Sequence, residues 1–262
     1  MIQKPVSYGS YLKLPELLSL QVPRAQPVHL DEMQFIIVHQ AFELWFKLVL
    51  HELDETFAAV GRGDLREATH LVRRVTQIVQ LWLKQIHILE TMRPTDFLRF
   101  RSLITPASGL QSWQFREIEF ASGLQEPRFL TLFEGEVRKR LETRLAAPTL
   151  WDAFLRALAQ AGLDIGEGRA ESLLSIYTEP RHEALRDLAE ALIEYDEYLA
   201  LWRAHHIHMV SRMIGGKPGT GASLVQSTLK GGEPMGGQGV DYLMSTLSKK
   251  CFPELWAMRT RL

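Results

Sequence analysis

The chain has 262 residues, of which 46% are hydrophobic and 23% charged, the composition of a globular protein with a sizeable core. A formal net charge of −1, with Lys and Arg spread along the sequence, argues against a nucleic-acid partner. Cys251 is the only cysteine, which excludes an intramolecular disulfide framework, and because neither a signal peptide nor a membrane-spanning apolar run is visible we expect a cytoplasmic protein without a membrane partner.

Helical periodicity dominates the first half of the chain, and strand patterns are nearly absent. Residues 1–29 hold four prolines around short apolar patches, so we expect an irregular arm with at most one short helix. Asp31 is a candidate cap for a long helix to about Ala59, and Asp64 for a second one to about Met92. One face of the second helix is apolar and carries Leu71, Val75, Val79, Trp82 and Ile86.

The second half continues in helical patterns around one glycine-rich segment. The patterns occur, in order, at Gln111–Phe120, Glu134–Leu145, Leu150–Ala161, His182–Ile214, Val240–Leu247 and Phe252–Trp256. Residues 215–239 are rich in glycine and poor in apolar residues, which predicts a mobile loop. We therefore predict one all-α domain over residues 1–262, built as a bundle of long helices.

A histidine lies in the middle of an apolar face of the first long helix. At helical spacing Phe35, His39, Phe42 and Phe46 fall on one stripe. A titratable ring among three phenylalanines must either find a hydrogen-bond partner in the core or serve a ligand. Taken alone, a core histidine is the commoner interpretation.

A second histidine, His206, lies on an apolar face of the last long helix beside Trp202 and Met209, whereas His205 and His208 share the more polar side. Two such histidines on two long helices favour an enclosed cofactor. A haem needs an axial imidazole, an apolar pocket and a distal group, and Trp202 with the nearby methionines provides a soft, flat surface. Five histidines beside charges or at element ends are predicted to be solvated: His29, His51, His70, His87 and His182.

The main alternative cofactor is a non-haem diiron centre, which needs Glu-x-x-His pairs from two helices. Glu67 and His70 have this spacing, and so do Glu179 and His182, but Pro180 interrupts the second pair where the helix must be continuous. Neither pair lies on an apolar face. Nucleophilic catalysis has no support either, since the sequence contains no Gly-x-Ser-x-Gly motif.

Ten ordered motifs run along nearly the whole chain. They are Tyr8–Leu14, Asp31–Met33, Phe35–Lys47, Phe97–Arg101, Pro106–Gly109, Gln111–Arg116, Trp202–His206, Met209–Gly215, Gly219–Gly221 and Phe252–Trp256. Several motifs in the right order are far more specific than any one of them. Together they resemble the tryptophan 2,3-dioxygenase family of haem enzymes.

The resemblance implies an all-α fold that encloses a b-type haem, with dioxygen as co-substrate. By motif position, His206 is the axial ligand of the haem iron, and Trp202, Ser108 and Gly109 lie at the cofactor. The reaction implied is insertion of dioxygen into the indole C2–C3 bond of L-tryptophan, which gives N-formylkynurenine.

The same resemblance implies the substrate contacts. Phe35 and His39 form the catalytic distal pocket, where His39 accepts the indole N–H, and Phe97 lines it. Arg101 binds the substrate carboxylate, for which a guanidinium fork is suited, and Thr220 contacts the amino-acid end when its loop closes. Residues 1–29 are exchanged within a homotetramer, and the residues that reach a neighbouring active site are Tyr8, Tyr11 and Leu12.

The loop after Thr220 departs from the family pattern. Ala222 replaces the second glycine that follows the family's threonine, and Leu224–Met235 resembles an insertion before Tyr242. Two alternatives to an L-tryptophan dioxygenase therefore stay open: oxidation of another indole derivative, with monooxygenation accessible, and a non-catalytic haem-binding module. Retention of Arg101 and Thr220 favours tryptophan, because a substrate without a carboxylate does not need that arginine.

Overall fold

The computed structural model describes residues 5–221 and 240–262, with side chains from residue 243 onward in the second range. The predicted loop at 215–239 is therefore described only as far as Gly221, and the predicted insertion Leu224–Met235 lies outside the described residues. Every regular element in the described ranges is helical, and no strand occurs in them. This confirms the all-α prediction.

Most of the described residues belong to α-helices. In chain order they are α1 (Tyr8–Tyr11), α2 (Leu14–Leu17), α3 (Leu30–Gly61), α4 (Leu65–Leu89), α5 (Pro94–Ile104), α6 (Trp113–Ala121), α7 (Gly135–Ala146), α8 (Leu150–Gln160), α9 (Arg169–Thr178), α10 (Glu183–Ile214), α11 (Val240–Ser245) and α12 (Pro253–Met258). Short 3-10 helices lie at Gly109–Gln111, Pro127–Leu132 and Pro180–His182.

Three long helices, α3, α4 and α10, form the centre of the bundle. α3 and α4 are antiparallel, since Gln34 near the start of α3 bonds Thr91 just beyond the end of α4 at 3.0 Å. Trp82 of α4 is fully buried and packs edge-on against Phe46 of α3 and Trp202 of α10, with ring centroids 5.0 and 5.8 Å apart. The predicted apolar stripe of α4 is confirmed, because all five of its residues are at most 5% exposed.

The helix boundaries follow local capping chemistry. Asp64 caps α4 as predicted, since its carboxylate accepts the Glu67 N–H at 3.1 Å. α3 begins one residue before the predicted cap, and His29 rather than Asp31 occupies the capping position, with its Nδ1 accepting the Asp31 N–H at 3.2 Å. Pro94 begins α5, a helix the sequence did not predict, at the position where proline is tolerated.

The N-terminal arm contains two one-turn helices, so the expectation of at most one was wrong. Ser7 and Ser10 form a reciprocal capping box at α1, and Pro15 lies in the first turn of α2. The arm is tied to α3 by the buried Glu32 carboxylate, which accepts the Arg24 and Ala25 N–H groups at 2.7 and 2.9 Å.

Two further expectations need correction. His182 was predicted to be solvated, but the turn at 180–182 folds its ring into the bundle, where the residue is 8% exposed. The sequence also showed no run of membrane-spanning length, yet α3 meets that test by length and composition, with a hydropathy of 1.2 over its most apolar window. In the fold α3 is a core helix that packs on α4, α6 and α8.

Candidate active site

A cavity of about 1490 Å³ opens between α3, α5, α6 and α10. Its walls are mainly apolar, and it is larger than the roughly 300–1,000 Å³ of a typical small-molecule pocket. The cavity therefore has room for a large cofactor and a substrate together. Nine residues predicted for the site line it, namely Phe35, His39, Phe97, Arg101, Ser108, Gly109, Trp202, His206 and Thr220.

His206 presents its ring to the cavity from α10. The ring lies parallel to the indole of Trp202, with planes 6° apart and centroids 5.5 Å apart. Burial, with a smaller contribution from the charge of His39, lowers the pKa of His206 to about 4. The imidazole is therefore neutral near pH 7, which is the form that binds a metal.

The indole nitrogen of Trp202 gives independent evidence that the cavity lacks a partner group that the described residues themselves do not provide. Its Nε1 is buried and has no hydrogen-bond partner among the residues that the structure describes. Buried polar groups in native proteins normally have a partner, often a bound group or a water. An apolar cavity with a neutral imidazole that has no hydrogen bond to any described residue, beside such a group, fits a haem with His206 as its iron ligand.

His39 faces the same cavity from α3. Its Nδ1 lies 2.7 Å from the backbone carbonyl of Phe35. Because a carbonyl can only accept, Nδ1 carries the proton, and Nε2 is left as an acceptor. Burial lowers the pKa of His39, against the opposing effects of that hydrogen bond and the Glu43 charge. A neutral histidine with a free acceptor can receive an indole N–H.

Aromatic rings from α3 and α5 form the wall beside His39. Phe35 lies 5.8 Å from Phe97 between ring centroids, with planes 29° apart, and Phe100 meets both rings edge-on. Phe100 is fully buried, whereas Phe35 and Phe97 reach the cavity. These rings therefore offer a flat apolar surface for an aromatic ligand.

Residues 215–221, here called the strap, lie against the turn at 106–109. Thr220 Oγ1 donates to the Ala107 carbonyl at 2.6 Å, and the Arg101 guanidinium donates to the Pro218 carbonyl. The Nε of Arg101 is buried without a partner in the described part of the chain. Arg101 is thus a cavity residue rather than a surface arginine, and its guanidinium retains an unused donor.

Gly221 allows the strap to lie directly against Ser108 in the turn at 106–109. A Cβ atom built on Gly221 would lie 2.4 Å from the Cβ of Ser108 and 2.8 Å from its Oγ. Both distances are below van der Waals contact, so any side chain at this position would push the strap away from the turn. The strap and Ser108 therefore form one surface only while residue 221 is glycine.

The cavity has a cationic end that the sequence did not predict. Arg116 of α6 and Arg203 of α10 both reach Glu119, with N–O distances of 2.6 and 3.3 Å, and all three line the cavity. Arg116 Nε and Arg203 Nη1 are buried without partners among the described residues. Two guanidiniums share one carboxylate here, which leaves positive charge for an acidic group. The signal available was that both arginines belong to the motifs of the resemblance.

Tyr8, Tyr11 and Leu12 do not line the cavity of their own chain. They are 76%, 76% and 40% exposed on the arm. Their assignment to a neighbouring subunit's active site stays a prediction. The diiron pair Glu67 and His70 lies on the exposed face of α4, where His70 Nε2 contacts Arg74 at 2.9 Å.

Fold and cavity together define the class of protein: an all-helical enzyme scaffold with a neutral imidazole facing a cofactor-sized apolar cavity. Residues 2–167 and 167–262 match the sequence model of the family described as tryptophan 2,3-dioxygenase, and the chain belongs to this family. The resemblance drawn from the motifs is thereby confirmed.

Proteins that match this chain over nearly their whole length are named tryptophan 2,3-dioxygenase. The chain is 42% identical to the tryptophan 2,3-dioxygenase of Nocardioides sp., over 98% of this chain and 95% of the relative. It is 38% identical to that of Herpetosiphon aurantiacus over the full length of both chains. It is 37% identical to that of Bacillus thuringiensis, over 98% of this chain and 93% of the relative.

Proposed function

We propose that the protein is a haem-dependent dioxygenase that adds one atom of dioxygen to each of C2 and C3 of the indole of L-tryptophan and cleaves the C2–C3 and O–O bonds, giving N-formylkynurenine. The observation that carries this proposal is that His39, Arg101 and His206 line one cavity. These three side chains offer an acceptor for an indole N–H, a cation for a carboxylate and a ligand for an iron. Family membership and the relatives' names support the same reaction.

The cofactor is a b-type haem whose iron is held by His206. Trp202 stacks on the ligand ring, and Ser108 and Gly109 line the cavity at the turn. The unpaired donors of Arg116 and Arg203 suit the two carboxylates that such a haem carries. When bound, the haem supplies the binding and activation of dioxygen.

The substrate lies between the aromatic wall and the strap. Phe35 and Phe97 contact the indole ring, and His39 Nε2 accepts the indole N–H. Arg101 exchanges its bond to the Pro218 carbonyl for the substrate carboxylate, and Thr220 on the strap contacts the same end. The protein's part in catalysis is thus to orient the indole C2–C3 bond and to exclude water.

Assembly belongs to the same proposal. In a homotetramer the exposed Tyr8, Tyr11 and Leu12 of one arm complete the cavity of a neighbouring subunit. Light scattering behind size exclusion tests this directly: the intact chain elutes at four times the monomer mass, and removal of residues 1–12 weakens L-tryptophan turnover. A monomeric, fully active truncated chain would contradict it.

A panel of indoles tests the substrate. Reduced, haem-loaded enzyme is incubated aerobically with L-tryptophan and with 3-methylindole, which lacks the carboxylate. The expected result is N-formylkynurenine from L-tryptophan and little turnover of 3-methylindole. Preferred turnover of 3-methylindole would instead support the alternative opened by the altered sequence after Thr220, a family member that oxidises a different indole.

A further inference from the structure

We propose that His87 and His205 form a surface binding site for a divalent transition-metal ion, separate from the haem cavity, that bridges α4 and α10. Neither histidine lines the cavity or takes part in the proposed reaction. Both side chains are exposed, and neither ring has a hydrogen bond or ion pair with any described residue.

The geometry of the two rings fits a shared ion. Their centroids are 5.5 Å apart and their planes are inclined by 60°. Two imidazoles that share one tetrahedral ion, with metal–nitrogen bonds of about 2.0–2.1 Å, have centroids roughly 5–6 Å apart. A tilted pair can direct one nitrogen of each ring to a common point, whereas rings stacked face to face, as in the Trp202–His206 pair, cannot.

The backbone around the pair also favours a cation. His87 lies in the last turn of α4, which ends at Leu89, and so at the negative end of the helix dipole. Lys84 and Glu90 lie one turn to either side of His87, so their charges offset each other. The packing of α4 on α10 fixes the backbone positions of the two histidines without the ion.

The ligand set selects the class of ion. Neutral imidazole suits Zn²⁺, Cu²⁺ and Ni²⁺, whereas Mg²⁺ and Ca²⁺ prefer oxygen ligands. No group of three or more His, Cys, Asp or Glu side chains with metal-binding geometry occurs in the described residues. The proposed site therefore has two histidine ligands, and water molecules provide the remaining ligands. Such a site exchanges its ion readily, and a bound ion ties the cavity ends of α4 and α10 together.

Zinc titration of the haem-loaded, tag-free enzyme tests the proposal, because the haem occupies His206 and Zn²⁺ has no redox chemistry. Isothermal titration calorimetry is expected to show one Zn²⁺ per chain. His87→Gln and His205→Gln should each weaken binding at least tenfold. His208→Gln, an exposed histidine one turn further along α10, is the matched control and should bind as the wild type does.

Haem absorption and thermal unfolding show whether the variants are correctly folded. The variants should keep the wild-type haem spectrum, and added Zn²⁺ should raise the Tm of the wild type and of His208→Gln but not of His87→Gln. Zinc affinity in correctly folded His87→Gln within twofold of the wild type would overturn the proposal. So would a wild type that binds no Zn²⁺.

Discussion

The imidazole of His206 lies parallel to the indole of Trp202, one helical turn earlier in α10, with the two planes 6° apart. Helical spacing places both rings on the same face, and the buried Trp82 supports Trp202 from α4 at 5.8 Å. The His206 ring is thus oriented by a rigid aromatic stack, and no residue that the structure describes holds it by a hydrogen bond.

His206→Ala is expected to lose the haem. The cavity then retains its apolar walls but no axial ligand, so haem content after reconstitution should fall below about a tenth of wild type, as metal sites depend on each ligand. Haem absorption per chain measures this. His208→Ala, on the exposed side of α10, is the control and should bind haem normally. A wild-type spectrum in His206→Ala would remove the axial assignment.

His39→Phe is expected to keep the apolar wall but lose the acceptor for the indole N–H. One such hydrogen bond is worth about 1 kcal/mol, so kcat/KM for L-tryptophan should fall roughly fivefold. The substrate 1-methyl-L-tryptophan has no indole N–H, and its kcat/KM should change little. Equal losses for the two substrates would mean that His39 does not contact the indole nitrogen.

Arg101→Gln should lower kcat/KM for L-tryptophan about 10- to 100-fold, because a hydrogen bond to a charged group contributes roughly 1.5–3 kcal/mol. Steady-state kinetics with L-tryptophan and 3-methylindole measure the effect, which should be confined to the substrate with a carboxylate. Arg99→Gln is the matched control, since Arg99 is an exposed arginine of the same helix. A comparable loss with 3-methylindole would show that Arg101 acts on something other than the carboxylate.

Gly221→Ala should displace the strap, because the new Cβ would fall 2.4 Å from Ser108 Cβ. Overpacking of this kind costs about 1–3 kcal/mol, so KM for L-tryptophan should rise roughly tenfold. The double variant Ser108→Gly, Gly221→Ala removes the clashing atoms, and glycine at a capping position costs only a few tenths of a kcal/mol. Recovery of KM in the double variant supports the contact, and failure to recover contradicts it.

The lowered pKa of His206 predicts a pH dependence of stability in the haem-free protein. The folded value of about 4 lies below the unfolded value of 6.5, so between these limits the unfolded chain takes up a proton that the folded chain does not. The free energy of unfolding should therefore fall as pH drops from 6.5 towards 4, by at most about 1.4 kcal/mol per pH unit, with no effect above 6.5. Denaturant unfolding at several pH values should show a weaker dependence in His206→Phe, and an unchanged slope would contradict the assignment.

Periodicity predicted the parts of the site that lie on long helices. Two predictions were confirmed: the stripe of Phe35, His39, Phe42 and Phe46, and the apolar face around His206. Both follow from spacing alone, because spacing along a regular helix determines which side chains share a face. Arg101 and Thr220 came only from the family resemblance. Their positions depend on how α5 and the strap pack against the turn at 106–109, which no local pattern encodes.

The cationic end of the cavity was missed for a related reason. Arg116 and Glu119 have the i, i+3 spacing of an ordinary surface pair, and nothing local shows that α6 is buried. Burial of Arg203 likewise depends on the packing of α10 against α6. α5 and α9 were not predicted, although α6 and α8, which are of similar length, were.

Isotope counting in the product tests the central claim most directly. Reduced, haem-loaded enzyme is mixed with L-tryptophan under ¹⁸O₂, and the product is analysed by mass spectrometry before solvent exchange. The proposal predicts N-formylkynurenine that carries both atoms of one dioxygen molecule. A product with a single labelled oxygen and an intact indole C2–C3 bond would contradict it.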